Sequence, residues 1–133
     1  MSQVETPDLG VIAVKDIDKR LESQIQDILE ASDVTEEFIA DMTFPDFSQD
    51  QKTIFAVERS LGIVGATAKR LPISFQDNYP DIPWRDIIGI GDKLTYGYFE
   101  TDIAVLWEVA KQHLPLLKTR MHEALARLND ENK

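Results

Sequence analysis

The stretch IFAVERSLGIVGATAKRLP, residues 54 to 72, decides the class of fold. Its apolar positions Ile54, Val57, Leu61, Val64, Ala68 and Leu71 follow one another at spacings of 3, 4, 3, 4 and 3. That rhythm lines one face of an α-helix, whereas a half-buried strand would alternate at two. Pro72 lacks an amide hydrogen and its ring clashes with the preceding turn, so the helix is expected to end there. Ser48 is the expected cap at its other end.

Outward from this seam the same period recurs. Towards the N-terminus, Ile17, Leu21, Ile25 and Ile28 mark a helix from about Lys15 to Ser32. Asp33-Val34-Thr35-Glu36 then reads as a stop and a new cap, with Thr35 opening a short helix through Phe38 and Ile39. Phe44-Pro45-Asp46-Phe47 reads as a loop. Beyond Leu71, the segment from Pro72 to Ile82 shows no sustained period and reads as a crossing loop. Pro83 suits the first turn of a fourth long helix, which carries Trp84, Ile87 and Leu94, reaches towards Tyr98 and ends near Gly97. With Thr101 or Asp102 as cap, a last helix places Ile103, Trp107, Ala110, Leu114, Leu117, Met121, Ala124 and Leu128 in register, and Pro115 is expected to kink it. The expected architecture is all-α, an antiparallel bundle of four long helices and a short one in a single domain 1–133, with tails at 1–13 and 129–133. A seam on nearly every helix leaves apolar surface for a homodimer or larger homo-oligomer.

Composition narrows the chemistry. With no cysteine among 133 residues, disulfides, thiolate zinc sites and a cysteine nucleophile are excluded. No apolar run approaches the roughly 18 residues of a membrane span. The start of the chain has neither the basic residues nor the apolar stretch of a secretory signal, so a cytoplasmic location is expected. The net charge of −10, from 24 acidic and 14 basic residues, opposes phosphate backbones on average. Binding RNA would require a local basic patch.

His113 and His122 are nine residues apart on one helix, hence on opposite faces, and are expected at the surface rather than on a shared metal. No metal or cofactor site is expected elsewhere. Glu36 with Glu37 and Asp81 with Asp86 have the chemistry for a hard cation or for acid–base work, but caps and solvated faces account for them more simply. Gly89-Ile90-Gly91 follows no strand and makes a poor phosphate loop. Each helix glycine costs about 1 kcal/mol against Ala. Close helix approach is the expected reason at Gly62 and Gly65. Gly89 and Gly91, two apart, face different ways and are not both explained by packing. Arg59 and Arg70 return to nearly one face, and with Lys69, Arg85 and Lys93 they form either a basic patch or ordinary salt bridges with neighbours such as Glu58 and Asp86.

Certain blocks are more specific than any pattern. Ala68-Lys69-Arg70-Leu71-Pro72, Ile82-Pro83-Trp84-Arg85-Asp86-Ile87-Ile88-Gly89, Asp92-Lys93-Leu94, Gly97-Tyr98-Phe99 and Trp107 with Leu114-Pro115 resemble the HepT-like branch of the HEPN superfamily. The resemblance implies a dimeric helical bundle, metal-independent cleavage of RNA, tRNA included, and pairing with a MntA-type nucleotidyltransferase antitoxin. Its signature is Arg, four residues, His, one residue, Tyr. The His moves a proton as the ribose 2′-hydroxyl attacks, and the Arg stabilises charge growing on phosphorus. The antitoxin adds AMP to the Tyr.

In this chain the frame of that signature puts Gly91 at the Arg position and Tyr96 at the His position, leaving Tyr98 as the retained residue and the expected AMPylation site. Ala66 stands where many relatives carry Glu after the glycine. A tyrosine with an ordinary pKa near 10 is a poor base at neutral pH, and glycine has no side chain with which to stabilise charge. Two functions follow: a toxin component with weakened or lost RNase activity, its residual RNA contacts made by Lys69, Arg70, Arg85 and Lys93; or, alternatively, a catalytically inactive regulatory module that holds a nucleotidyltransferase or a sibling toxin.

Overall fold

The helix built on the 54–72 seam is the one against which the others pack. The computed structural model describes residues 9–96 and 102–131, with side chains for 16–95 and 102–131. This helix, α3, spans Gln51–Arg70 and is preceded by α1 (Leu9–Ile39) and the short α2 (Phe44–Ser48). After it come the short α4 (Ile73–Asp77), α5 (Trp84–Tyr96), α6 (Ile103–Glu108), a π-helical turn (Val109–His113) and α7 (Leu114–Glu131). All regular structure among the described residues is helical. Val57, Leu61, Val64, Ala68 and Leu71 are buried as the spacing predicts, with Ile54 packed at the margin. Burying such side chains is worth about 1.5–3 kcal/mol each, which is what holds a seam of this kind inside.

The cap of α3 is Asp50 rather than Ser48: the Asp50 carboxylate accepts from the Thr53 amide at 3.0 Å. Ser48 lies instead at the end of α2, its hydroxyl donating to the Pro45 carbonyl. The segment expected as a loop at 44–47 is therefore helical. Thr43 and Asp46 form a reciprocal capping box, with the Asp46 amide donating to Thr43 Oγ1 at 3.3 Å and the Thr43 amide to Asp46 Oδ2 at 3.1 Å. Pro45 in the first turn needs no amide partner.

The stop expected at Asp33–Glu36 is absent, and α1 runs unbroken to Ile39. No Gly or Pro interrupts it between Val11 and Ile39. Thr35 is fully buried within it, not a cap; its hydroxyl donates across the α1–α3 contact to Ser60 Oγ at 2.6 Å, and Ser60 in turn donates to the Val57 carbonyl at 3.2 Å. Along the same helix Ile25 and Ile28 are in the core as expected, while Ile17 is 53% exposed. Helix occupies part of both stretches expected as tails, from Leu9 and up to Glu131.

The crossing segment after Pro72 is also partly helical. Gln76 in α4 donates from Nε2 to the Ala68 and Leu71 carbonyls, each at 3.2 Å, and so ties α4 to the end of α3, where the Ala68 carbonyl also accepts from the Leu71 amide at 3.1 Å. Trp84 at the start of α5 donates from Nε1 to the Gln76 and Tyr79 carbonyls, each at 3.1 Å. Two side chains thus lock the turn that aims α5 back along α3. The pairing of Gly62 with Leu94 and of Gly65 with Gly91 gives the two helices opposite directions.

Asp102, one of the two expected caps, accepts from the Ala104 amide at 2.9 Å; Thr101 and the end of the preceding helix near Gly97 lie outside the described residues. From there one continuous rod runs to Glu131. Pro115 does not break it. The preceding turn is widened, so that the Leu114 amide reaches back to the Val109 carbonyl, the five-residue closure of a π turn. Such an insertion is one of the few ways a helix passes a proline. It also rotates the helix face: Leu106, Val109 and Ala110 are buried, whereas Trp107 is only half-buried against Phe44 and Phe47.

Candidate functional site

Helix α5 has two faces, and the structure treats them differently. One is pressed onto α3. A Cβ built at Gly91 would lie 2.6 Å from the Gly65 Cα and 2.8 Å from its carbonyl carbon; one built at Gly65 would lie 2.5 Å from the Gly91 Cα and 2.7 Å from the Ile87 carbonyl oxygen. Both glycines are buried, and the two helices meet backbone to backbone. Glycine is needed at both positions because any side chain would have to displace main chain. Close approach is expected from the sequence for Gly62 as well, but a Cβ there meets only the Leu94 Cβ, at an ordinary 3.7 Å. Beside the contact, Lys69 on α3 pairs with Asp92 on α5 at 3.1 Å.

Among the described residues, the opposite face of α5 is open. A cleft of about 510 Å³ separates it from α6 and the π turn. Arg85, Asp86 and Lys93 line it from α5. Asp102, Glu108 and His113 line it from the other side. Gly89 lies on its α5 wall, where an added Cβ would meet nothing within 4 Å. The two glycines of Gly89-Ile90-Gly91 are therefore explained separately, one by helix contact and the other by an open space.

The basic residues read from the sequence have different surroundings. Arg85 and Lys93 share the cleft; Lys69 is held by Asp92, and Arg70 is exposed at the end of α3, outside the cleft lining. The acidic pairs separate too. Glu36 joins Asp33 in holding Lys118, both at 2.6 Å, while Glu37 is exposed. Asp81 is bound by Arg120 at 2.7 Å, which lowers its carboxyl below the ordinary range, and Asp86 belongs to the cleft. His122 is exposed on α7 as expected, but His113 is half-buried and turned into the cleft. Sequence spacing alone gives His113 no partners. The signal is the proline two residues on, since the π turn that accommodates Pro115 is the turn that carries His113.

Of the three positions in the expected motif frame, Gly91 is fully described. Tyr96 is the last described residue of α5, with its side chain outside the described set, and Tyr98 lies outside the described residues. Among the described residues no group of three or more histidine or acidic side chains is arranged to hold a metal ion, and no helix is long and apolar enough to cross a membrane.

Comparison with known proteins gives a consistent result. The model of the HepT-like ribonuclease family matches residues 28–124. A probable ribonuclease HepT of Thermococcus cleftensis is 41% identical over 99 residues, covering 74% of this chain and 90% of that one. A putative RNase of Methanocaldococcus jannaschii is 36% identical over 97 residues, 73% of this chain and 80% of its own. A putative RNase of Caldanaerobacter subterraneus subsp. tengcongensis is 32% identical over 101 residues, 76% and 90% of the two chains. No solved structure gives a significant match.

Proposed function

The chain belongs to the HepT-like ribonuclease family, and from that premise we propose that it is the toxin component of a toxin–antitoxin pair, a cytoplasmic homodimer whose own RNA cleavage is weakened or lost. Its partner is a MntA-type nucleotidyltransferase that adds AMP to Tyr98. The observation that carries the reading is the contact between Gly65 and Gly91. In the motif frame position 91 belongs to the Arg that stabilises phosphorus, and here it carries no side chain, while a Cβ placed there would lie 2.6 Å from the Gly65 Cα. Removing acid–base help at the companion position, Tyr96, lowers the rate by about 10² to 10⁴ on top of that loss. The same observation favours, as a second reading, a regulatory module that retains the fold and the partner but performs no chemistry.

The test is incubation of the purified chain with bulk tRNA in EDTA, beside a relative that carries the motif Arg and His, followed by a denaturing gel. Cleavage at least about 10²-fold slower than the relative's is expected. In parallel, a MntA-type nucleotidyltransferase with labelled ATP should label the unaltered chain and leave Tyr98→Phe unlabelled. Cleavage at the relative's rate would sink the lost-activity reading. Equal labelling of both chains, or of neither, would remove Tyr98 from its role.

A further inference from the structure

The cleft on the open face of α5 holds charged groups of both signs that do not neutralise one another. Lys69, Lys118 and Arg120 all sit in ion pairs at 2.6 to 3.1 Å. Among the described residues Arg85 and Lys93 have no such partner, although three carboxylates, Asp86, Asp102 and Glu108, line the same cleft. The void keeps them apart. Arg85 and Lys93 are eight residues apart, about 12 Å along the helix axis, and Gly89 stands midway, one turn from each. The missing side chain opens a notch between two long cationic ones, and from across the cleft the π turn brings His113. The lining that surrounds the notch thus offers an anion a guanidinium, an ammonium and an imidazole, which are charge-assisted or strong donors.

An anion alone would leave the rest of the cleft unfilled. Ile90, Val105 and Val109 supply apolar wall, and Val105 is 41% exposed, unusual for a valine beside a core. The carboxylates accept hydrogen bonds from hydroxyl and amino groups. A cleft of about 510 Å³ lies within the range of about 300 to 1,000 Å³ of small-ligand sites. We infer that this cleft binds one nucleotide: its phosphate lies over Gly89 between Arg85, Lys93 and His113, its sugar and amino groups meet Asp86, Asp102 and Glu108, and its base lies on the exposed Val105. The choice of a nucleotide over other phosphate esters rests on the family reading above. The unit is either a free mononucleotide or a single residue of an RNA strand, and the chemistry that recognises both is the same. A net charge of −10 favours so small a ligand over a long phosphate backbone.

The experiment is calorimetric titration of the full chain with AMP, adenosine, inorganic phosphate and a short single-stranded RNA. AMP should bind, with adenosine and phosphate each at least about tenfold weaker, the ratio expected when a charge-assisted contact is lost. Arg85→Gln should weaken AMP by about tenfold or more. Gly89→Leu should do the same by filling the notch, while circular dichroism shows a folded protein, because a Cβ there meets no neighbour. RNA that competes with AMP assigns the cleft to a strand residue; AMP binding without RNA binding assigns it to a free nucleotide. The inference is overturned if neither AMP nor RNA binds, if adenosine binds as well as AMP, or if both variants bind AMP as the unaltered chain does. Should Tyr98 take no label while AMP binds in this pattern, Tyr98 loses its role as the modified residue and the nucleotide cleft stands. Should Tyr98 be labelled while the cleft takes up no nucleotide, the toxin reading stands and the cleft proposal fails.

Discussion

Two helix glycines two residues apart have opposite fates, and that contrast is measurable. Gly91 faces the Gly65 backbone, and Gly89 faces open space. Gly91→Ala and Gly65→Ala should each destabilise by about 1 to 3 kcal/mol, the usual cost of forcing extra atoms into packed structure. Gly89→Ala should stabilise by about 0.5 to 1 kcal/mol, since it removes a helix-interior glycine without a clash. Urea denaturation of the three variants decides the matter: equal effects at 89 and 91 would mean that the helix contact does not exist. Gly65 is legible from sequence as a point of close approach, because it lies beside a seam. Its partner is not legible, since the period of α5 says which face is apolar and not which residue of another helix lies opposite. Thr35 is hidden for a related reason. A threonine beside two acids looks like a cap until a hydroxyl on a distant helix, here that of Ser60, gives it a buried partner.

At the scale of elements, the long helices are legible because each repeats its period over several turns. The five-residue helices α2 and α4 carry little more than one turn and leave no periodic trace. Their signals are local: a capping box for α2, and for α4 a glutamine, Gln76, whose amide bonds the carbonyls at the end of α3. The π turn is similar, since it is written in the proline that follows it and in no pattern of its own. It shifts the buried face of the last rod and brings His113 to the cleft. The α4–α5 turn hangs on the indole of Trp84. Trp84→Phe keeps most of the ring and leaves the Gln76 and Tyr79 carbonyls without that donor. It should lower stability by about 1 to 2 kcal/mol, part from the hydrogen bonds and part from lost contact. A thermal melt with no shift relative to the unaltered chain would show that the turn is held by packing alone.

Across the whole molecule, charge ties distant parts of the chain together. Lys118 on α7 is bonded to Asp33 and then Glu36 on α1, which raises its pKa above 10.5. Its contribution to stability is therefore complete below 10.5 and is lost as pH rises through the raised value. Asp81, held by Arg120, and Asp50, held by the Thr53 amide, are lowered below 3.8. Their contributions are present above 3.8 and disappear as pH falls through the lowered values. These groups should leave the denaturation midpoint level between the two limits and reduce it outside them. Lys118→Met should blunt the alkaline decline specifically. An identical alkaline decline in that variant would mean that the α1–α7 bridge contributes nothing measurable.

The backbone contact between α3 and α5 also bears on the history open to such a chain. A side chain at position 91 needs room that only a wider spacing of two helices can give, because it would meet the Gly65 backbone and the Ala66 amide nitrogen on α3. A single codon change to arginine would therefore unsettle the fold before it could confer any new chemistry. A charged group could be seated there only together with changes at neighbouring sites that first widen the spacing of the two helices.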